Sequence, residues 1–177
     1  GKEFLFLPGY YAAEKYIAFR VELMLRNRFF ETRDVDAMID RVEKEKGIQY
    51  ETLQRQAIRE ALSRSLLILT GGPGTGKTTT LNAIIELLEQ EGMKLAIAAP
   101  TGRAAMRVSE VTGHEAKTIH RLLEVDFSEE GRSGFIHNEQ NPLNADAVVI
   151  DEMSMVDVEL FEALLRGIRP GCKLILV

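Results

Sequence analysis

Eight consecutive residues, Gly71-Gly72-Pro73-Gly74-Thr75-Gly76-Lys77-Thr78, fit the pattern Gly-x-x-x-x-Gly-Lys-[Ser/Thr]. The chemistry open to such a stretch is the holding of phosphate. Glycines let the backbone fold closely round an anion with its N–H groups turned inward. A helix starting at the end of the stretch adds the positive end of its dipole. Lys77 is then placed to reach the β- and γ-phosphates of a nucleoside triphosphate, and the Thr78 hydroxyl to take a position on Mg²⁺. Gly72, Gly74, Thr75, Gly76 and Thr79 complete the expected cradle. A glycine-rich turn ahead of an ordinary helix reads similarly, so the flanks decide. Leu66-Leu67-Ile68-Leu69 before the loop reads as a buried strand, and Leu81, Ile84, Ile85 and Leu88 after it recur at helical spacing.

A second group with chemistry in it is Val148-Val149-Ile150-Asp151-Glu152. An apolar strand here delivers two carboxylates. Asp151 is placed to hold Mg²⁺, directly or through water, opposite Thr78, and Glu152 to orient and deprotonate an attacking water. That adjacent glutamate favours hydrolysis over phosphate transfer to a small molecule. Acidic residues after a strand also serve as helix caps, and alone the pair would not decide between the two.

In Ala99-Pro100-Thr101-Gly102-Arg103-Ala104-Ala105 a strand ends, and a hydroxyl, a glycine and an arginine open a helix. Such a helix start is a second anion site, for a phosphate other than the nucleotide's. Between Lys94 and Leu123 the basic residues Lys94, Arg103, Arg107, Lys117 and Arg121 outnumber Glu110 and Glu115. Contact with a polynucleotide backbone is the natural use. Solvated arginines on an ordinary connection are the plainer one. Gln54 could pair with the donor and acceptor of an adenine edge, or be a surface glutamine. His120 has no metal partner at ligand spacing. His114 and His137 fall in loop-like stretches, and Cys172 reads as a core residue.

The elements that must position these residues follow from periodicity. Amphipathic helices are expected from about Gly9 to Arg28, after Asp34 as far as Gly47, and from about Glu51 to Ser63. The first two have no strand between them, so residues 1–48 are expected to form a small helical module. From Leu66 strands and helices alternate, with further strands at 95–99, 147–150 and 174–177. Between them come helices carrying Ala105, Val108 and Val111, then Thr118 to Leu123, then Leu160, Phe161, Leu164 and Leu165. Residues 126–144 read as a polar excursion with Gly131, Gly134 and Pro142, and with a hairpin around Phe135-Ile136. The expected class is α/β: a mostly parallel sheet with flanking helices and its ligands at the strands' C-terminal edge.

At 177 residues the chain can bury one good core. Its 45% apolar and 28% charged composition is ordinary for a soluble globular protein, and its net charge of −5 gives no sign of nucleic acid, which must rest on local patches. No apolar run approaches a membrane span, and no signal pattern opens the chain. The lone Cys172 precludes an internal disulfide and fits a reducing, cytoplasmic compartment. The chain opens at Gly1 and closes at Val177 inside an apolar run, so it is expected to be a piece of a longer protein.

Five stretches in order carry a family resemblance: Gln54-Arg55-Gln56-Ala57-Ile58, the Gly71–Thr80 loop, 99–105, Thr118-Ile119-His120-Arg121-Leu122-Leu123, and Asp151-Glu152-Met153-Ser154-Met155-Val156-Asp157. They resemble the Q motif and motifs I, Ia, Ib and II of the RecD-like superfamily 1B DNA helicases. Phe135-Ile136-His137-Asn138 and Asn141-Pro142-Leu143 are similar to that family's connection into motif II. The resemblance covers residues 50–177 and implies a P-loop, RecA-like ATPase domain from residue 49, cut after motif II. It implies ATP and Mg²⁺ as cofactors, and movement 5′ to 3′ on single-stranded DNA with unwinding of duplex ahead. By position it gives Gln54 to adenine, and Gly74, Gly76, Lys77, Thr78 and Thr79 to phosphate and metal. Asp151 and Glu152 go to metal and water, and Thr101, Arg103, Thr118 and His120 to the DNA track. The implied partners are single-stranded DNA and its junctions with duplex, with subunits of a nuclease complex as further partners of a parent protein. Motif III and a second RecA-like domain with its arginine finger are missing from these 177 residues. The piece alone is therefore expected to bind ATP without unwinding DNA. Two rivals stand beside this: another P-loop ATPase of the AAA+ loader type, and a non-catalytic nucleotide-binding or docking module. A GTPase would carry an Asn-Lys-x-Asp signature, which the sequence lacks.

Overall fold

The computed structural model describes residues 7–27, 34–72, 74–127 and 134–177. Pro73 of the glycine loop, the expected helix end at Arg28 and Gly131 of the polar excursion lie outside them. Helix α1 (Pro8–Arg26) starts with proline in its first turn, where no N–H is needed. Helix α2 (Val35–Lys46) opens where the Asp34 carboxylate accepts from the Ala37 N–H at 3.2 Å and closes at Gly47, φ 64°. Helix α3 (Thr52–Ser63) is held by a capping box between Glu51 and Gln54. From here strands and helices alternate: β1 (Leu66–Ile68), α4 (Lys77–Gln90), β2 (Leu95–Ala99), α5 (Gly102–Thr112), β3 (Ala116–Thr118) and α6 (Ile119–Leu123). A short antiparallel pair, β4 (Val125–Asp126) with β5 (Gly134–Phe135), follows where a hairpin was expected. Then come β6 (Ala147–Ile150), α7 (Val158–Gly167) and β7 (Lys173–Leu176).

Five strands form one parallel sheet in the order β1-β7-β6-β2-β3. Strand β3 was not expected: three residues are too few to show a period, and Ala116-Lys117-Thr118 becomes a strand by pairing with β2. Alternate strand residues feed two cores. Leu67, Ile97, Val149 and Ile175 join α2, α3 and α4 on one face. Ala98, Val148, Ile150, Leu174 and Leu176 join α1, α6 and α7 on the other.

The first two helices share these cores rather than a core of their own. In α1, Arg20 donates to the Leu165 and Ile168 carbonyls at 2.5 and 2.9 Å, and the Arg166 guanidinium lies 3.8 Å from the centre of the Tyr16 ring. In α2, Met38, Ile39 and Val42 pack with Ile58 and Ile84, while Asp40 and Glu43 bind Arg55 at 2.8 and 2.9 Å. The line drawn after residue 48 thus crosses continuous packing. Lys173 is a charged residue buried inside β7, and it has a structural task. Its ammonium donates to the Leu62 and Arg64 carbonyls at 3.0 and 2.7 Å, satisfying groups left over at the end of α3.

Candidate active site

Because the sheet is parallel, every strand ends on the same edge. The register aligns Ile68, Leu176, Ile150 and Ala98, and pairs Ala99 with Thr118. The glycine loop after β1, Asp151-Glu152 after β6, Thr101 to Arg103 after β2 and Thr118 to His120 at the end of β3 are therefore delivered to one rim.

The loop needs its glycines. Gly71, Gly74 and Gly76 hold φ values of 154°, 75° and 79°. A Cβ on Gly71 would lie 2.6 Å from the Thr75 hydroxyl, and one on Gly76 would overlap the Gln54 amide nitrogen. Thr75 donates to the Gly72 carbonyl at 2.8 Å, and the buried Thr80 hydroxyl donates to the Gly76 carbonyl at 2.9 Å. Gly76 is also the N-cap of α4, and no side chain caps that helix. Its first N–H groups face the loop uncapped, as an anion site requires.

Gln54 sits against this loop. Its carbonyl oxygen accepts from the Glu51 N–H at 2.8 Å, and its amide donates to the Gly76 carbonyl at 3.2 Å. Each end of the carboxamide keeps capacity for one further bond. The residue that the resemblance gives to adenine is thus anchored to the glycine loop.

Lys77, Asp151 and Glu152 line one cavity of about 410 Å³ together with Thr70, Gly71 and Ser154. The carboxylates are held by backbone: the Asp151 N–H donates to the Ala98 carbonyl at 3.0 Å and the Met153 N–H to the Val177 carbonyl at 2.8 Å. Glu152 adopts φ 57°, ψ 43°, left-handed backbone that costs a side-chain-bearing residue about 1–2 kcal/mol. Thr78 and Thr79 stand exposed on the first turn of α4, outside that lining, as do Gly72, Gly74 and Thr75 of the loop. Among the described residues no group of three or more His, Cys, Asp or Glu could hold a metal ion. The Thr78 hydroxyl and Asp151 carboxylate are hard oxygen donors, and they fit an ion that arrives with phosphate rather than one caged by protein. One contact escaped the sequence: Arg107 of α5 approaches Glu152 at 3.5 Å. Its spacing of four from Arg103, which puts both on one helix face, was the available signal.

Along the rim beyond the cavity, both threonine hydroxyls are engaged. Thr101 accepts from the Ala104 N–H at 3.2 Å and Thr118 from the Arg121 N–H at 3.1 Å, each capping a helix. Arg103 and His120 are exposed, and the His120 ring lies 5.8 Å from that of Phe135. The count of positive charge was too generous. Lys94 precedes β2 at the opposite end of the sheet, and Lys117 lines a separate pocket with Glu89, His114 and Glu115. Arg103, Arg107 and Arg121 remain on the rim side.

A family model described as an AAA domain matches residues 54–177. The chain is 36% identical over all of its 177 residues to the ATP-dependent RecD2 DNA helicase of Deinococcus radiodurans, covering 24% of that protein. It is 40% identical over 149 residues to the RecBCD enzyme subunit RecD of Mycolicibacterium smegmatis, covering 70% of this chain and 26% of that one. The chain thus spans about a quarter of the length of the curated relatives it matches. A Pif1 helicase solved in work on unwinding at forked double-stranded DNA shares the fold, with a TM-score of 0.53 and 22% identity over 73% of this chain and 33% of that one. The rival readings are not favoured, since these relatives are named as a RecD2 DNA helicase and a RecBCD enzyme subunit RecD. The chain belongs to the AAA domain family, and it is similar to RecD-type proteins.

Proposed function

We propose that this chain supplies the ATP-binding half of a 5′–3′ DNA helicase motor, coupling ATP hydrolysis to translocation on single-stranded DNA and unwinding of duplex. One observation carries it: a lysine from the glycine loop and the Asp151-Glu152 pair line a single cavity at the rim that also bears Arg103 and His120. In this reading residues 49–177 are the RecA-like ATPase part, with the preceding helices docked on it. The loop amides and Lys77 bind the triphosphate, and Gln54 reads adenine with the capacity its two anchoring bonds leave. Thr78 and Asp151 would hold Mg²⁺, which supplies charge neutralisation on the β- and γ-phosphates when bound. Glu152 orients the attacking water and takes its proton. Thr101, Arg103, Thr118 and His120 contact the DNA strand, the two threonines mainly by placing helix starts towards phosphate. Action on DNA inside the cell gives a cytoplasmic location. Subunits of a nuclease complex are further candidate partners, checked by co-purification from the native source.

The test has two arms. The 177-residue chain should bind a fluorescent ATP analogue, and Lys77→Ala should weaken binding about 10- to 100-fold, the loss of one charge-assisted contact. The full-length protein should hydrolyse ATP faster with single-stranded DNA and unwind a duplex bearing a 5′ overhang. Arg103→Ala should lower the salt slope of single-strand binding by about 1. Unchanged ATP binding in Lys77→Ala would sink the proposal.

A further inference from the structure

The contact between Arg107 and Glu152 joins two parts of the molecule that otherwise have separate tasks. Glu152 lines the nucleotide cavity, while Arg107 stands on α5, one turn past Arg103 and on the same face. Resting on the ATPase reading above, we propose that Arg107 is a positioning residue that restrains Glu152 until DNA draws it away. The restraint links strand binding to water activation.

Three observations carry the inference. The guanidinium Nη1 lies 3.5 Å from Glu152 Oε1, close enough for the opposite charges to hold the carboxylate towards α5. Arg107 is 73% exposed and the Glu152 side chain 36% exposed, so the pair is weak and the cation is open to a competing anion. The Glu152 backbone is fixed in its left-handed conformation, with its carbonyl accepting from the Met155 N–H at 3.0 Å. Release can therefore come from the side chains without moving the strand. A DNA phosphate passing the first turn of α5 offers Arg107 a stronger partner, since phosphate contacts gain from counterion release.

During hydrolysis the water oxygen bonds to the γ-phosphorus. The bond from that phosphorus to the bridging oxygen breaks with its electron pair leaving on ADP, and the water's proton passes to Glu152. Holding the Glu152 carboxylate towards Arg107 keeps it from turning onto that water and so slows the last of these. It leaves nucleotide binding, which belongs to the loop, alone.

The experiment compares the full-length wild type with Arg107→Ala, Arg107→Lys and Lys77→Ala in ATPase assays, with and without saturating single-stranded oligothymidine. Arg107→Ala should raise the DNA-free kcat roughly two- to fivefold, the range an exposed ion pair supports. KM for ATP should stay unchanged, and the stimulation ratio should shrink accordingly. Arg107→Lys should restore the wild-type ratio. Should the alanine variant misfold, Arg107→Gln gives the same readout with most of the stem kept. A DNA-free kcat equal to wild type, with only DNA affinity lowered, would reduce Arg107 to a phosphate contact and overturn the proposal. A lowered DNA-free kcat would overturn it too, since Arg107 would then be assisting Glu152. Loss of all Lys77-dependent turnover in the wild type is a different result, and it would take down the ATPase reading itself.

Discussion

At the scale of single residues the site is a set of backbone positions that few side chains could occupy. Gly76 combines φ 79° with a direction in which a Cβ would meet the Gln54 amide. Gly76→Ala should therefore cost about 1–3 kcal/mol of stability in a urea melt and weaken ATP binding at the same time. A variant as stable as wild type would show that the loop relaxes. Away from the site, Lys173 is buried, and burial pushes its ammonium down to about 8. The unfolded chain then binds more protons than the folded one between pH 8 and 10.5, so stability rises with pH there and is lost as pH falls through 8. Cys172 works against this from higher pH. Burial pushes its thiol up to about 11 from 9.0, so its contribution is present below 9 and lost as pH climbs towards 11. A gain of about 1 kcal/mol between pH 8 and 9 is expected by chemical denaturation, and Lys173→Met should flatten it. An identical slope in the variant would assign the effect elsewhere.

At the scale of elements, the helices are cut where the chain says so. Asp34, Thr101, Thr118 and Asp157 accept from backbone N–H groups three residues on, and Gly47 and Gly113 end helices in left-handed backbone. Which element meets which is decided differently. Helix α1 is tied to α7 in part by Arg20, whose guanidinium supplies the two carbonyl contacts at the end of α7 and lies beside the Tyr16 ring. Arg20→Ala leaves those carbonyls without that partner and should cost about 1–3 kcal/mol in a denaturant titration. A much smaller cost would mean that the apolar contacts of Ala13, Met24 and α7 hold the helix alone.

For the whole molecule, the parallel sheet converts four separate loops into one rim, and the two halves of the proposed function become neighbours there. A ligand bound only by the folded state stabilises it, by about 2.7 kcal/mol at one hundred times its Kd. ATP with Mg²⁺ should thus raise the thermal midpoint of the chain, and Lys77→Ala should abolish the rise. An equal rise in the variant would place the nucleotide somewhere other than the glycine loop. Among the described residues no helix is long and apolar enough to cross a membrane.

The sequence by itself determined the local rules and the chemistry they serve. Glycines at 71, 74 and 76, a lysine at the helix start and an acidic pair after an apolar strand each have a reason that lies within a few residues. Strand and helix periods likewise follow from the immediate neighbours. Tertiary structure decided what depends on residues far apart in the chain. Three residues, Ala116 to Thr118, became a strand because β2 offered an edge. The first two helices were divided between the two faces of the sheet because each found a different core to cover. Gln54 was tied to the Gly76 carbonyl across 22 positions, and Arg107 was brought to Glu152 from another strand's helix. Lys94 and Arg103, nine residues apart, were carried to opposite ends of the sheet, because β2 runs between them. Spacing along a chain fixes which groups share a face, but only the order and direction of strands fix which faces meet.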